Sequence, residues 1–156
     1  MTYRRSTRGT KGRGRPSLDE LSTESPLPYH SRGYLLTQEE QLFVRALHPG
    51  ASAHGLGIFA KPRLADVLNC SEEAWRLGHG TLLGRRHVDF VLCSNIARIE
   101  VGIELDDPSH AHRADRDDFL DRAFEAAGVR LLRFPVRQRY DASEISRVLG
   151  EALRQA

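Results

Sequence analysis

Asp89 and Glu104 are the residues whose setting in this chain is best suited to chemistry. Each lies in a run that alternates between apolar and polar positions. In the first, Val88, Phe90 and Leu92 alternate with His87, Asp89 and Val91. In the second, Ile99, Val101, Ile103 and Leu105 alternate with Glu100, Gly102, Glu104 and Asp106. Strand side chains repeat with a period of two, so each run presents one apolar and one more polar face. An antiparallel hairpin turning about Asn95–Ile96 places Asp89 opposite Gly102 and diagonal to Glu104, on one face. Two carboxylates held close together on rigid strands form a candidate site for a divalent metal. An acid inside an apolar strand run is costly unless it is paired or liganded, which singles out Asp89. The same argument is weaker for Glu104, because alternation alone accounts for an exposed Glu there.

The elements that must position these acids can be read from turn, cap and periodicity signals. Thr37 with Glu40 three residues on forms a capping box, and that box accounts for Glu40 without any functional role. Leu42, Phe43, Ala46 and Leu47 give the helix an apolar stripe, and Pro49-Gly50 is expected to stop it. Gly55 to Ala60 reads as a short strand, followed by an apolar segment around Leu64, Val67 and Leu68 behind Pro62. Residues 69–84 read as a short helix near Glu72–Arg76 and then a Gly-rich loop. After the hairpin, Asp106-Asp107-Pro108-Ser109 ends its second strand and leads into a helix from about His112 to Ala127, with Gly128 as its stop. Val129 to Phe134 is a strand closed by Pro135. Asp141 with Glu144 reads as a second capping box and opens a last helix whose Ile145, Val148, Leu149, Ala152 and Leu153 face the core. The expected class is mixed α/β without internal repeats.

Bulk properties bound the alternatives. A chain of 156 residues, 40% hydrophobic and 28% charged, has room for one globular domain with a real core. No apolar run approaches the roughly 20 residues needed to span a bilayer, so no membrane role is expected. The basic N-terminus is followed by no apolar stretch and does not read as a secretory signal. Cys70 and Cys93 lack metal-ribbon spacing and indicate neither a zinc site nor a disulfide framework; a reducing cytoplasm is the expected compartment. The formal charge of +2 is unevenly spread: residues 1–33 hold seven basic and three acidic side chains, the remainder 16 and 18. Residues 1–33 are therefore expected to form a disordered basic tail, and 34–156 the folded domain. The tail could lie along nucleic-acid phosphates or be a solvated extension.

Other charged residues have simpler readings. His110 and His112 with Asp115 lack the further ligands of a zinc site. Asp115, Asp117, Asp118 and Asp121 stand in the first turns of a helix, where acids suit its dipole. Arg133 is expected in an ion pair or on a phosphate, and Trp75 in packing.

The runs H-V-D-F, I-E-L-D-D-P-S-H, R-D-D-F-L-D-R-A and A-G-V-R-L-L-R-F, with L-T-x-x-E at Leu36 to Glu40, occur in a specific order. In that order the chain resembles the PD-(D/E)xK restriction-endonuclease-like superfamily. Over roughly residues 34 to 136 it resembles the bacterial domain of unknown function 2726, a relative of the very-short-patch repair endonucleases. The resemblance implies a restriction-endonuclease-like core, a mixed central sheet flanked by helices in the order αβββαβ, here with an added C-terminal helix. It further implies that Asp89 and Glu104 bind Mg²⁺ (or Mn²⁺), which polarises a scissile phosphate and activates water. By the same resemblance Glu40 orients a ligand or metal-bound water, and His110 serves as general base or stabilises charge. Asp106 becomes a further ligand if its strand stays regular that far.

The chain departs from the superfamily pattern after Glu104, where Leu105-Asp106 stands without a lysine. Related domains can carry the basic group on the following helix, but Leu120 occupies that position here. The only lysines are Lys11 and Lys61. A transition-state cation must then come from Arg113, Arg116 or Lys61, unless His110 suffices. Arg113, Arg116, Arg133 and Lys61 are also the expected contacts to nucleic acid.

The leading expectation is a metal-dependent nuclease acting on DNA, with a partner protein possible for targeting. The alternative is a catalytically inactive nucleic-acid-binding module of the same fold. Third is an interaction subunit, which would show no salt-dependent DNA binding.

Overall fold

Phe43 shows how the fold is assembled. Its ring lies 5.8 Å from that of Phe90, 5.0 Å from Phe134 and 5.1 Å from Tyr140, tying a helix, two strands and the loop before the last helix together. The computed structural model describes residues 29–107 and 114–154, with only the backbone of 114–117. In chain order the elements are α1 (Gln38–Ala53), β1 (Gly57–Ala60), α2 (Leu64–Val67), α3 (Glu72–Arg76), α4 (His79–Gly84), β2 (Phe90–Cys93), β3 (Ile99–Asp106), α5 (Ala114–Ala126), β4 (Arg130–Pro135) and α6 (Ala142–Arg154).

The strands form one mixed sheet in the order β1-β2-β3-β4. β1, β2 and β3 pair antiparallel, and β4 joins β3 in parallel after the α5 crossover. Helices cover both faces. On one, Phe43 and Leu47 of α1 and Ile145 and Leu149 of α6 pack on Phe90, Leu92, Val101 and Ile103. On the other, Leu120 and Phe124 of α5 pack with Leu64, Leu83, Val88 and Val91. All four β2 residues are consequently buried, although simple alternation predicts a polar face. Leu120 is a fully buried core residue.

Three local expectations change. Pro49-Gly50 does not end α1, which runs on to Ala53. Its last turn is held by tertiary packing: Ala51 is buried, and Gly50 lies so close to α6 that a Cβ there would stand 2.6 Å from Ser146 Oγ. The expected Gly-rich loop contains α4, because Gly80 gives the helix room beneath Trp75, whose ring would be 2.1 Å from an added Cβ. Trp75 thus packs as expected while remaining half exposed. The hairpin register is also different. The turn spans three residues, with Ala97 at φ 61°, and a bulge follows at Leu92/Cys93. Each feature slips the pairing by one residue. Phe90 therefore pairs with Ile103, and the same register carried one residue beyond β2 sets Asp89 level with Glu104 instead of Gly102, with the Asp89 N–H donating to the Glu104 side chain.

Candidate functional site

The corrected register lines up charged residues across the sheet. Ala60 pairs with Phe90 and Phe90 with Ile103, so the next rung runs from Lys61 through Asp89 to Glu104. Glu104 in turn pairs with Arg133 on β4. The backbone supports this rung directly: the Lys61 N–H donates to the Asp89 carbonyl at 2.9 Å. Asp89 itself sits at a bend just before β2, where the chain passes from Val88 in one core layer to Phe90 in the other.

Side chains close the cluster. The Leu105 N–H donates to Asp89 Oδ2 at 2.9 Å, and the Asp89 N–H donates to Glu104 Oε1 at 3.2 Å. Lys61 Nζ donates to Asp89 Oδ1 at 2.6 Å and also to Glu40 Oε1. Glu40 combines two tasks. Its Oε2 accepts from the Thr37 N–H at 2.9 Å in the capping box, and its other oxygen holds the lysine. Phe43, one turn on, is buried against the sheet and fixes the face that carries Glu40. Glu40 and Glu104 are 8% and 5% exposed, so this is a nearly dry group of carboxylates reached past a partly exposed lysine.

The electrostatics favour a charged lysine. Burial opposes the ammonium, but the hydrogen bonds and charges of Asp89 and Glu40 outweigh it and raise the Lys61 pKa above the ordinary lysine range. Lys61 also adopts φ 55°, a left-handed conformation costing a non-glycine residue on the order of 1–2 kcal/mol. The contacts at both its ends hold that conformation in place.

Asp106 does lie on a regular strand, yet its Oδ1 accepts from Arg133 Nη1 at 2.6 Å. Arg133 Nε donates to Asp121 on α5 at 2.8 Å, so the ion-pair reading of Arg133 is the one the geometry supports. His110, Arg113 and the Arg116 side chain lie outside the described residues. Sequence reasoning named Lys61 only among several possible cations and did not place it between the acids. The available signal was its position directly after β1, which an antiparallel β1–β2 pair sets opposite Asp89.

As a metal site, the group supplies hard oxygen donors. Among the described residues no three His, Cys, Asp or Glu side chains are arranged to enclose an ion. Asp89 and Glu104 fit the way Mg²⁺ is usually held, by one or two carboxylates with waters and substrate phosphate completing the shell.

These features define a mixed α/β domain with a carboxylate–lysine group at one end of its sheet. The family model described as a protein of unknown function (DUF2726) matches residues 32–153, and the chain belongs to that family. No curated protein and no solved structure matches the chain. Among the described residues no helix is long and apolar enough to cross a membrane.

Proposed function

We propose that this chain is a Mg²⁺- or Mn²⁺-dependent nuclease domain of the PD-(D/E)xK restriction-endonuclease-like superfamily, related to the very-short-patch repair endonucleases and hydrolysing DNA phosphodiesters. The observation carrying the reading is the rung Lys61–Asp89–Glu104 with Glu40 behind it. It supplies, from the end of β1, the cation missing after Glu104. The four-stranded mixed sheet with its flanking helices is compatible with the order αβββαβ.

Asp89 and Glu104 would hold the metal, which supplies polarisation of the scissile phosphate and an acidified water. Each carboxylate oxygen has two lone pairs, so Asp89 can keep its Leu105 N–H while serving as a ligand. Lys61 stays protonated and stabilises negative charge developing on the phosphate. Glu40 positions that ammonium from the helix terminus. His110 is the general-base candidate, through the family resemblance alone.

The test is cleavage of plasmid and single-stranded DNA with Mg²⁺, Mn²⁺ or chelator, comparing wild type with Asp89→Ala and Glu104→Ala. Each substitution should lower the rate by on the order of a hundredfold or more, the equivalent of a few kcal/mol of metal-derived stabilisation. Cleavage persisting in both variants would sink the proposal.

A second reading, an inactive DNA-binding module, draws on the same lysine. Lys61 forms ion pairs with both Asp89 and Glu40, so the lysine itself can compensate these two carboxylates. That reading expects no cleavage, and DNA binding that survives or tightens when the acids are removed.

A further inference from the structure

We propose that Arg85 and Arg86, with Arg63 and His87 beside them, form a cradle for the DNA phosphate backbone next to the carboxylate–lysine group. The DNA assignment rests on the nuclease reading above. The cradle itself rests on a separate stretch of structure. Beyond the end of the β1–β2 pair the two chain segments continue side by side. The Val88 N–H donates to the Pro62 carbonyl at 3.2 Å, and the Leu64 N–H donates to the Arg86 carbonyl at 2.8 Å. Arg63 and His87 form an isolated antiparallel bridge. This backbone frame carries Lys61, Arg63, Arg85, Arg86 and His87, and no acid occurs in 61–65 or 85–88.

The cations are left available in a way that a structural role does not require. The Arg85 and His87 side chains are exposed and make no hydrogen bond or ion pair among the described residues, although His87 lies close enough to Asp66 to act on its charge. Arg86 is half-buried, with its guanidinium 4.4 Å above the Phe119 ring centre. Stacking of that kind holds the planar group in place while its N–H edge remains free for phosphate oxygens. Arg63 is oriented by two hydrogen bonds to Asp66, at 3.0 and 2.9 Å, and its side chain stays 59% exposed. Arg63 thus shares its charge with Asp66, as Arg76, Arg122 and Arg147 do with acids one helical turn away, whereas Arg85 and Arg86 have no such acid among the described residues.

The position relative to the acids gives this surface its meaning. The Arg63–His87 rung lies two residues beyond Lys61–Asp89, about 7 Å along the strands. One polynucleotide backbone can therefore touch both at once, with a phosphate beside the acids and its neighbour in the cradle. Such contacts would set register without reading sequence.

The experiment is fluorescence anisotropy of a labelled DNA duplex with the full chain, in chelator, over a series of salt concentrations. The proteins are wild type, Arg85→Ala, Arg86→Ala, the double variant and Arg147→Ala as a control on α6. Each cradle substitution should lower the slope of log affinity against log salt by about one, and the double variant by about two. Arg147→Ala should leave it unchanged. Arg85→Ala removes an exposed side chain with no hydrogen bond or ion pair among the described residues, so its result does not hinge on a loss of folding. Equal slopes for wild type and the double variant, or no salt-dependent binding by wild type, would overturn the cradle. Cleavage with Mg²⁺, measured on the same proteins, separates the two ideas. Cradle-dependent binding without cleavage refutes the nuclease reading alone; cleavage with unchanged slopes refutes the cradle alone.

Discussion

Two groups of charged side chains meet on β3 and β4, and they are built in opposite ways. Around Lys61, the Glu40 and Asp89 side chains are 11% and 14% exposed, and Glu104 is buried. Around Arg133, the Asp106 and Asp121 side chains are 44% and 54% exposed. Burial opposes the Arg133 charge, but its hydrogen bonds and charge interactions with Asp121 and Asp106 prevail and keep it protonated. That group is a clamp: one guanidinium links β3, β4 and α5 through acids that water already solvates. The Lys61 group withdraws its acids from water, where each charge acts over a longer range and is more costly to leave uncompensated. The difference between them is the physical ground for placing the proposed chemistry at one and an architectural role at the other.

Replacing the two cations tests that difference most strongly. On the proposed nuclease reading, Lys61→Met should lower DNA cleavage by on the order of a hundredfold, as loss of a preorganised transition-state donor would. It should also cost about 1–3 kcal/mol in urea unfolding, by leaving Asp89 and Glu40 without their shared partner. Gly102→Ala probes whether the rung depends on α5 packing behind it. An added Cβ would stand 2.4 Å from the Phe124 ring, which is fully buried and has no room to move. A loss of about 1–3 kcal/mol is expected. Gly80→Ala should cost less, since half-exposed Trp75 can turn aside.

Arg133→Gln should cost no more than about 1 kcal/mol and leave cleavage within a few-fold, as for partly solvated ion pairs. If it matches Lys61→Met in both assays, the contrast collapses. The smallest effect is the pH dependence. The folded state raises the Lys61 pKa, so its contribution to stability is fully present below the ordinary lysine value. That contribution is lost as pH rises through the raised value. Melting curves from about pH 9 to pH 11 should show wild type converging on Lys61→Met. Parallel curves would mean that the lysine gains nothing from its acids.

Much of the scaffold could be read in advance because its signals are local. The Thr37–Glu40 capping box, the Gly128 stop at φ 67° and the apolar stripe of α6 all describe neighbours in sequence. The errors fall where distant packing overrides a local signal. Pro49 is carried inside α1 by contacts with α6, and α4 forms under Trp75 despite three glycines in residues 78–84. Glu40 could be explained entirely as a cap, since no local pattern reveals that its second oxygen faces a lysine 21 residues away.

The amino-acid sequence by itself determined the order of the four strands and the three long helices and marked Asp89 and Glu104 as acids that strands would bring near one another. Those conclusions follow from periodicity and cap chemistry, which act over a few residues. Only the tertiary structure decided that Asp89 lies level with Glu104, since a three-residue turn and a bulge each slip the register by one. It also decided that Lys61, not a residue after Glu104, sits among the carboxylates. Strand pairing brings together residues far apart in the chain, and a buried charge finds its partner through that pairing.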